Sequence, residues 1–179
     1  MRQVCYSVAM SLDGYIAGPN GEFDWIVMDP EVDFSGHAAR FDTHLVGRKS
    51  FEAMQRMGGA PPAQSGVREI VFSRTLDPAH HPKIALEADA VRVVRELRER
   101  PGKDIWLFGG GELFRSLLAA GLVDRVEVGI IPVLLGGGIP LLPSPAERAV
   151  LKLISHEVYE KTGTLGLEYE VVRVPEPAR

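Results

Sequence analysis

The stretch that most constrains this chain is Ile105-Trp106-Leu107-Phe108-Gly109-Gly110-Gly111-Glu112-Leu113-Phe114-Arg115-Ser116-Leu117-Leu118. An apolar run of strand length meets three consecutive glycines and then a helical pattern with Leu113, Leu117 and Leu118 on one face. Glycines at a strand-to-helix junction allow close approach, because no Cβ stands in the way. The free N–H groups and positive dipole end of the helix face whatever anion lies there. On these residues alone two readings stay open: a seat for a pyrophosphate, or a turn packed tightly for the architecture itself.

The segments before it repeat one theme. Val4 to Met10 is apolar at nearly every position, which predicts a strand covered on both faces. Ser11-Leu12-Asp13-Gly14-Tyr15-Ile16-Ala17 follows, then the turn residues Gly18-Pro19-Asn20-Gly21 and Phe23-Asp24-Trp25. A long loop after a buried first strand is a usual place for ligand contacts, and Tyr15, Ile16 and Trp25 are costly to leave in water. Asp29 to Phe41 is acidic, then helix-like, with Phe34, Ala38 and Phe41 spaced for one face. Thr43 to Val46 predicts a short strand, and Gly47-Arg48-Lys49-Ser50 opens a helix through Phe51, Met54 and Met57. Two cations at a helix N-terminus oppose the dipole preference unless an anionic ligand sits among them; a solvated basic turn is the alternative. Glu69 to Phe72 predicts a strand ending in Ser73-Arg74, a second cation and hydroxyl at a strand's carboxyl end. Guanidinium and hydroxyl groups are the usual readers of a phosphate.

The remaining segments set the frame. A short strand is expected near Ile84 to Leu86. Asp89 to Arg100 reads as an amphipathic helix, with Val91, Val94 and Leu97 inward and Arg92, Arg95, Glu96, Arg98 and Glu99 on a solvated face. Arg125 to Val133 predicts a strand. The second glycine triplet, Gly136 to Gly138, has no helix after it and suits a loop crossing close to another backbone or a substrate. Leu151 to Tyr159 and Leu165 to Val174 alternate and are joined by Lys161-Thr162-Gly163-Thr164, an antiparallel hairpin at a sheet edge. Gly58 to Gly66 reads as loop, and Pro175 and Pro177 end the ordered chain. Residues 1–175 are therefore expected as one domain, with 176–179 a tail.

Composition narrows the partners. A net charge of −4 and a pI near 5.7 leave no basic footprint for nucleic acid. Cys5 stands alone, so no internal disulfide forms, and its apolar surroundings predict an inert buried thiol. No apolar run reaches membrane-spanning length and the N-terminus lacks a signal-peptide layout, so a cytoplasmic location is expected. His80-His81 beside Pro82 reads as loop, and no spacing suggests a metal site.

Four segments now fall in a set order: Ser11 to Ala17, Gly47 to Phe51, Val71 to Arg74, and Phe108 to Leu113. In this order they resemble the dihydrofolate reductase superfamily. Pro132-Val133-Leu134-Leu135-Gly136-Gly137-Gly138-Ile139-Pro140-Leu141 looks specifically like the reductase domain of bacterial riboflavin biosynthesis and its small stand-alone relatives. The resemblance implies a single α/β domain with a mostly parallel central sheet, flanking helices, an antiparallel C-terminal hairpin and an NADPH site across the strand ends. By the same resemblance Gly109, Gly110, Gly111, Glu112 and Leu113 would hold the pyrophosphate, with Phe108 and Phe114 beside them. Gly47, Arg48, Lys49 and Ser50 would hold the adenosine phosphates. Ser73 and Arg74, after Phe72, would read the 2′-phosphate. Ala9 and Ile16 would line the nicotinamide, and Trp25 would close the loop over the substrate. Dihydrofolate reductases carry an acid on the first helix; Glu31 and Asp33 fall near that position, and Asp33 is the first choice of proton donor. The threonine that supports that acid is Gly129 here. Riboflavin-type reductases carry a longer segment, rich in Thr, Asp and Pro, where this chain has Asp29 to Phe41. The implied activity is hydride transfer from NADPH to a small planar heterocycle, pterin-like or 5-aminouracil-like. A non-catalytic NADP-binding protein of the same fold is the alternative, and a homodimer is implied in either case.

Overall fold

In chain order the elements are β1 (Val4–Ser11), β2 (Tyr15–Ala17), α1 (Phe34–Ala39), β3 (Phe41–Gly47), α2 (Arg48–Arg56), β4 (Arg68–Phe72), β5 (Ala85–Glu87), α3 (Ala90–Glu99), β6 (Asp104–Gly109), α4 (Gly111–Ala119), β7 (Arg125–Ile131), β8 (Ile139–Pro140), β9 (Val150–Tyr159) and β10 (Thr164–Val172). They come from a computed structural model, which describes residues 1–56, 66–82 and 84–173. Eight strands form one sheet in the order β5-β4-β3-β6-β1-β7-β10-β9. All neighbours from β5 to β7 are parallel, while β10 runs antiparallel to β7 and β9. This is the expected mostly parallel sheet with an antiparallel hairpin at one edge.

The central strands are apolar because both faces are covered. Val4, Tyr6, Leu45, Ile70, Ile105 and Leu107 pack with Val93, Val94 and Leu97 of α3 and Leu113, Phe114 and Leu117 of α4. A smaller cluster joins Phe51 of α2 to Val46 and Val71. Cys5 is buried, and burial, then the Glu127 charge, pushes its thiol up to about 12, which fits the inert thiol expected.

The structure corrects two expectations. Of the acidic, then helix-like stretch Asp29 to Phe41, Phe34–Ala39 is helical and Phe41 is not. Asp33 caps it by accepting from the Gly36 N–H at 2.8 Å, and Phe41 already pairs with Asp104 as the first residue of β3. Phe34 is exposed, whereas Ala38 and Phe41 are buried. Arg98, expected on the solvated face of α3, is buried; its guanidinium donates to Asp124 Oδ1 at 2.8 Å and to the Leu122 carbonyl at 3.3 Å. Arg92, Arg95, Glu96 and Glu99 are exposed as expected. The short strand expected near Ile84 to Leu86 is present as Ala85–Glu87. Most of the Gly58 to Gly66 loop, Met57 and the tail with Pro175 and Pro177 lie outside the described residues.

The second glycine triplet is used as a crossing. β8 pairs with β2, and a Cβ on Gly138 would collide with the Ala17 carbonyl. Asp13 ties the two loops together by accepting the Leu135 and Gly136 N–H groups at 3.1 and 2.7 Å. The Ser11 hydroxyl donates to the same carboxylate at 2.7 Å, and that bond, with the two N–H donors, holds Asp13 below the usual carboxylate range. Part of the Ser11–Ala17 segment is thus architecture rather than ligand contact.

Candidate active site

A cleft of about 2360 Å³ runs along the carboxyl ends of the strands, from β4 and α2 on one side to β10 and β9 on the other. Open parallel sheets place their ligands in this position. The glycine turn forms its middle. The Gly109–Gly110 peptide bond is cis, and Gly110 is the N-cap of α4 with no side-chain capping bond. The first N–H groups of α4 therefore have no side-chain acceptor of their own.

The three glycines serve both purposes that the sequence left open. A Cβ on Gly111 would sit 2.9 Å from the Pro140 carbonyl and from the Pro143 ring, so this residue is glycine for packing. A Cβ on Gly110 would meet only the Ser50 hydroxyl, at 3.0 Å. Gly47 approaches the same turn, with its would-be Cβ 3.4 Å from the Gly109 carbonyl. Phe108, Gly109, Gly110, Gly111, Glu112 and Leu113 all line the cleft. Phe114 does not: it is buried in the core, stacked on Tyr6 with ring centroids 4.1 Å apart. The helical period turns Phe114 to the core face, away from the cleft, which corrects its assignment as a cofactor contact.

At the β3–β4 side the cleft collects positive charge. Arg48, Lys49, Ser50 and Arg56 arrive from α2, and Phe72, Ser73 and Arg74 from the end of β4. Arg48 donates to both oxygens of Glu52 at 2.7 and 2.9 Å. Among the described residues Lys49 and Arg74 form no ion pair. The Ser73 hydroxyl accepts the Leu76 and Thr75 N–H groups at 2.9 and 3.1 Å, which leaves its own proton to donate.

Towards β7 the floor loses its side chains. Ala9, Gly129 and Gly166 are register partners across β1, β7 and β10. Ala9 and Gly129 are among the positions expected from the sequence, and Gly166 joins them through strand pairing. Ile16 lines the cleft near this floor, together with Phe23, Ile26, Val27 and Met28. Trp25, expected over the substrate, does not line it; its indole N–H turns back to the Glu22 carbonyl at 3.1 Å.

Beyond the floor stands a polar group that sequence reading missed. Glu127 of β7 is buried among the cleft residues, with Oε1 2.6 Å from Arg40 Nη2 and Oε2 3.6 Å from His37 Nδ1. His37 stands edge-on to Trp106, centroids 5.0 Å apart, and its Nε2 is buried without a partner. Burial lowers the His37 pKa below its ordinary value, against an opposing pull from Glu127. The two acids expected here also line the cleft but are otherwise engaged: Asp33 caps α1, and Glu31 lies 3.0 Å from Lys161. Only the alternation of β7, which turns Glu127 to the α1 face, could have pointed to it, and a lone Glu in an apolar strand reads as noise.

Comparison with known proteins gives a consistent picture. Residues 2–164 match the family model described as the RibD C-terminal domain. The uncharacterized protein YyaP of Bacillus subtilis (strain 168) is 34% identical over 178 residues, covering 94% of each chain. A solved structure of a protein from Shewanella sp. PV-4 assigned to riboflavin biosynthesis superposes with a TM-score of 0.80 and 25% identity, covering 97% of this chain and 100% of that one. A diaminohydroxyphosphoribosylaminopyrimidine deaminase/5-amino-6-(5-phosphoribosylamino)uracil reductase from Thermotoga maritima shares the fold, with a TM-score of 0.69 and 21% identity over 96% of this chain and 57% of that one.

Proposed function

This chain belongs to the RibD C-terminal domain family, and from that premise we propose that it is an NADPH-dependent reductase of a small planar heterocycle. The observation that carries the reading is the continuity of the cleft, from the cations of α2 and β4, past the uncapped end of α4, to the bare floor of Ala9, Gly129 and Gly166.

The residues present fit a dinucleotide. Lys49 and Arg74 offer cations free of ion pairs among the described residues, and the open N–H groups at Gly111 and Glu112 suit a pyrophosphate. Arg74 with Ser73 would bind the 2′-phosphate; Gly47, Arg48, Lys49 and Ser50 would bind the adenosine phosphates. NADPH, when bound, supplies a hydride for a C=N or C=O bond. The chain's own share is orientation and proton supply. Ala9, Gly129 and Gly166 let a flat ring lie against backbone, while the half-buried Ile16, Phe23 and Ile26 would keep water from it. Glu127, held by Arg40 and 3.6 Å from His37, would with that imidazole supply the proton from inside the cleft, while Asp33 caps α1 and Glu31 pairs with Lys161.

The test is a screen of pterins and aminopyrimidines for oxidation of NADPH at 340 nm (the ~340 nm absorbance belongs to the reduced nicotinamide). Turnover by any of them, lost in Glu127→Gln, supports the reading; tight NADPH binding with no acceptor across the panel favours a non-catalytic NADP-binding protein. The homodimer belongs to the same proposal. The edge strand β9 exposes Leu151, Leu153, Ile154 and Val158, an apolar edge with no partner strand on its outer side among the described residues, which a second copy would cover. Sedimentation equilibrium decides between dimer and monomer.

A further inference from the structure

The two halves of the cleft differ in charge, and the difference bears on the second ligand. The half by α2 and β4 holds Arg48, Lys49, Arg56 and Arg74 against Glu52 and Asp89, with Glu112 at the α4 turn. The half by α1, β7, β9 and β10 is lined by Asp29, Glu31, Asp33, Glu127, Glu157 and Glu168, with Arg40 as its one permanent cation among the described lining residues.

The nearby cations are already used. Arg40 is held by Glu127 at 2.6 Å and lies over the Phe41 ring, 5.1 Å from its centroid. Lys161 pairs with Glu31 at 3.0 Å, and Arg125 pairs with Glu168. Asp29, Asp33 and Glu157 are met by hydrogen-bond donors alone: Thr162 and the Glu31 N–H, the Gly36 N–H, and the Tyr159 hydroxyl at 2.9 Å. The imidazole of His37 is held towards its neutral form by burial and so adds little positive charge near neutral pH. A phosphate entering this half would find no uncommitted Lys or Arg among the described lining residues, with His156 as the remaining imidazole, and would face carboxylates at short range. Like charges in a partly dry cleft repel much more strongly than in bulk water. An amine or ring N–H would instead find acceptors on several sides.

We infer that the second ligand is an unphosphorylated heterocycle, neutral or amine-bearing. This rests on the NADPH reading of the other half and narrows the substrate class of the same site. It separates this chain from any relative whose substrate carries a phosphoribosyl group: the phosphates recognised here are those of the cofactor.

The experiment uses protein saturated with NADPH, so that the cationic half is filled, and titrates it calorimetrically with 2,4-diaminopyrimidine, cytidine and cytidine 5′-phosphate. The diaminopyrimidine and the nucleoside should bind, and the nucleotide at least ~10-fold more weakly than the nucleoside. Glu157→Lys should narrow that gap, and so should high salt, because exposed charges are screened. Nucleotide binding as tight as that of the nucleoside, or no binding of any of the three to the NADPH complex, overturns the inference while the cofactor reading stands. Failure of NADPH itself to bind removes the cofactor reading, and this inference with it.

Discussion

The carboxylate of Asp29 accepts both the backbone N–H and the hydroxyl of Thr162, at 3.1 and 2.9 Å, across 133 residues of chain. It also accepts the Glu31 N–H at 2.9 Å, so one buried acid fastens the loop after β2 to the turn between β9 and β10. The Glu31 bond, and then Thr162, hold its pKa below the usual carboxylate range. A depressed carboxylate stabilises the fold above its unfolded pKa and loses that contribution as pH falls from there through the folded one, so the latch is fully present at neutral pH. Asp29→Asn should lower the melting temperature by roughly 2–4 °C at neutral pH, the scale of one lost hydrogen-bond set in a chain this size. Amide exchange at Thr162 and Thr164 should rise in the same variant.

The last two glycines of the turn should separate stability from binding. Gly111→Ala forces a Cβ against the Pro140 carbonyl and the Pro143 ring, and should cost about 1–3 kcal/mol of stability. Gly110→Ala meets only the Ser50 hydroxyl and should leave the melting temperature nearly unchanged while weakening NADPH. Equal melting temperatures for the two variants would contradict this division.

Arg74→Ala should weaken NADPH by roughly 10-fold or more, the worth of one charge-assisted hydrogen bond, and leave NADH little changed. Equal losses for both nucleotides would remove the 2′-phosphate assignment. Lys49→Ala, acting on phosphates common to both, should weaken the two alike.

The histidines on either side of Trp106 make stability depend on pH. His37 and His44 are both lowered by burial, and each has a buried Nε2 without a partner. Glu127, Arg40 and Glu168 act on His37, and His44 additionally feels the His37 charge. A depressed imidazole binds protons less readily folded than unfolded, so stability is full above about pH 6.5 and falls as pH drops below it. His44→Gln should flatten that slope between about pH 6.5 and 5, as read from urea midpoints; an unchanged slope would assign it elsewhere.

The sequence was most legible where one local segment carried the signal. The run from Ile105 into Gly109 to Gly111 and Leu113 became β6, the turn and α4, because an apolar strand, three glycines and a helical stripe agree over a few residues. Arg48 and Arg74 were found because each follows a strand, and parallel strands bring their ends together. Phe114 was misread as part of that motif because adjacency in sequence is not adjacency on a helix face. The second half of the cleft was illegible for another reason. His37, Arg40, Glu127 and Gly166 come from α1 and its C-cap, β7 and β10, and only register and helix placement unite them. The later part of Asp29 to Phe41 reads as helix because Phe34, Ala38 and Phe41 are spaced for one face. The Asp33 cap and the pairing of Phe41 cut it short at both ends.

The measurement that tests the central claim most directly is a titration of NADPH and of NADH followed by the fluorescence of Trp106, which lines the cleft. Saturable quenching by both, with clear preference for NADPH, is the predicted result. Quenching by neither, or by both with equal affinity, would contradict it: the first would make the glycine turn architecture alone, and the second would leave Arg74 without its phosphate.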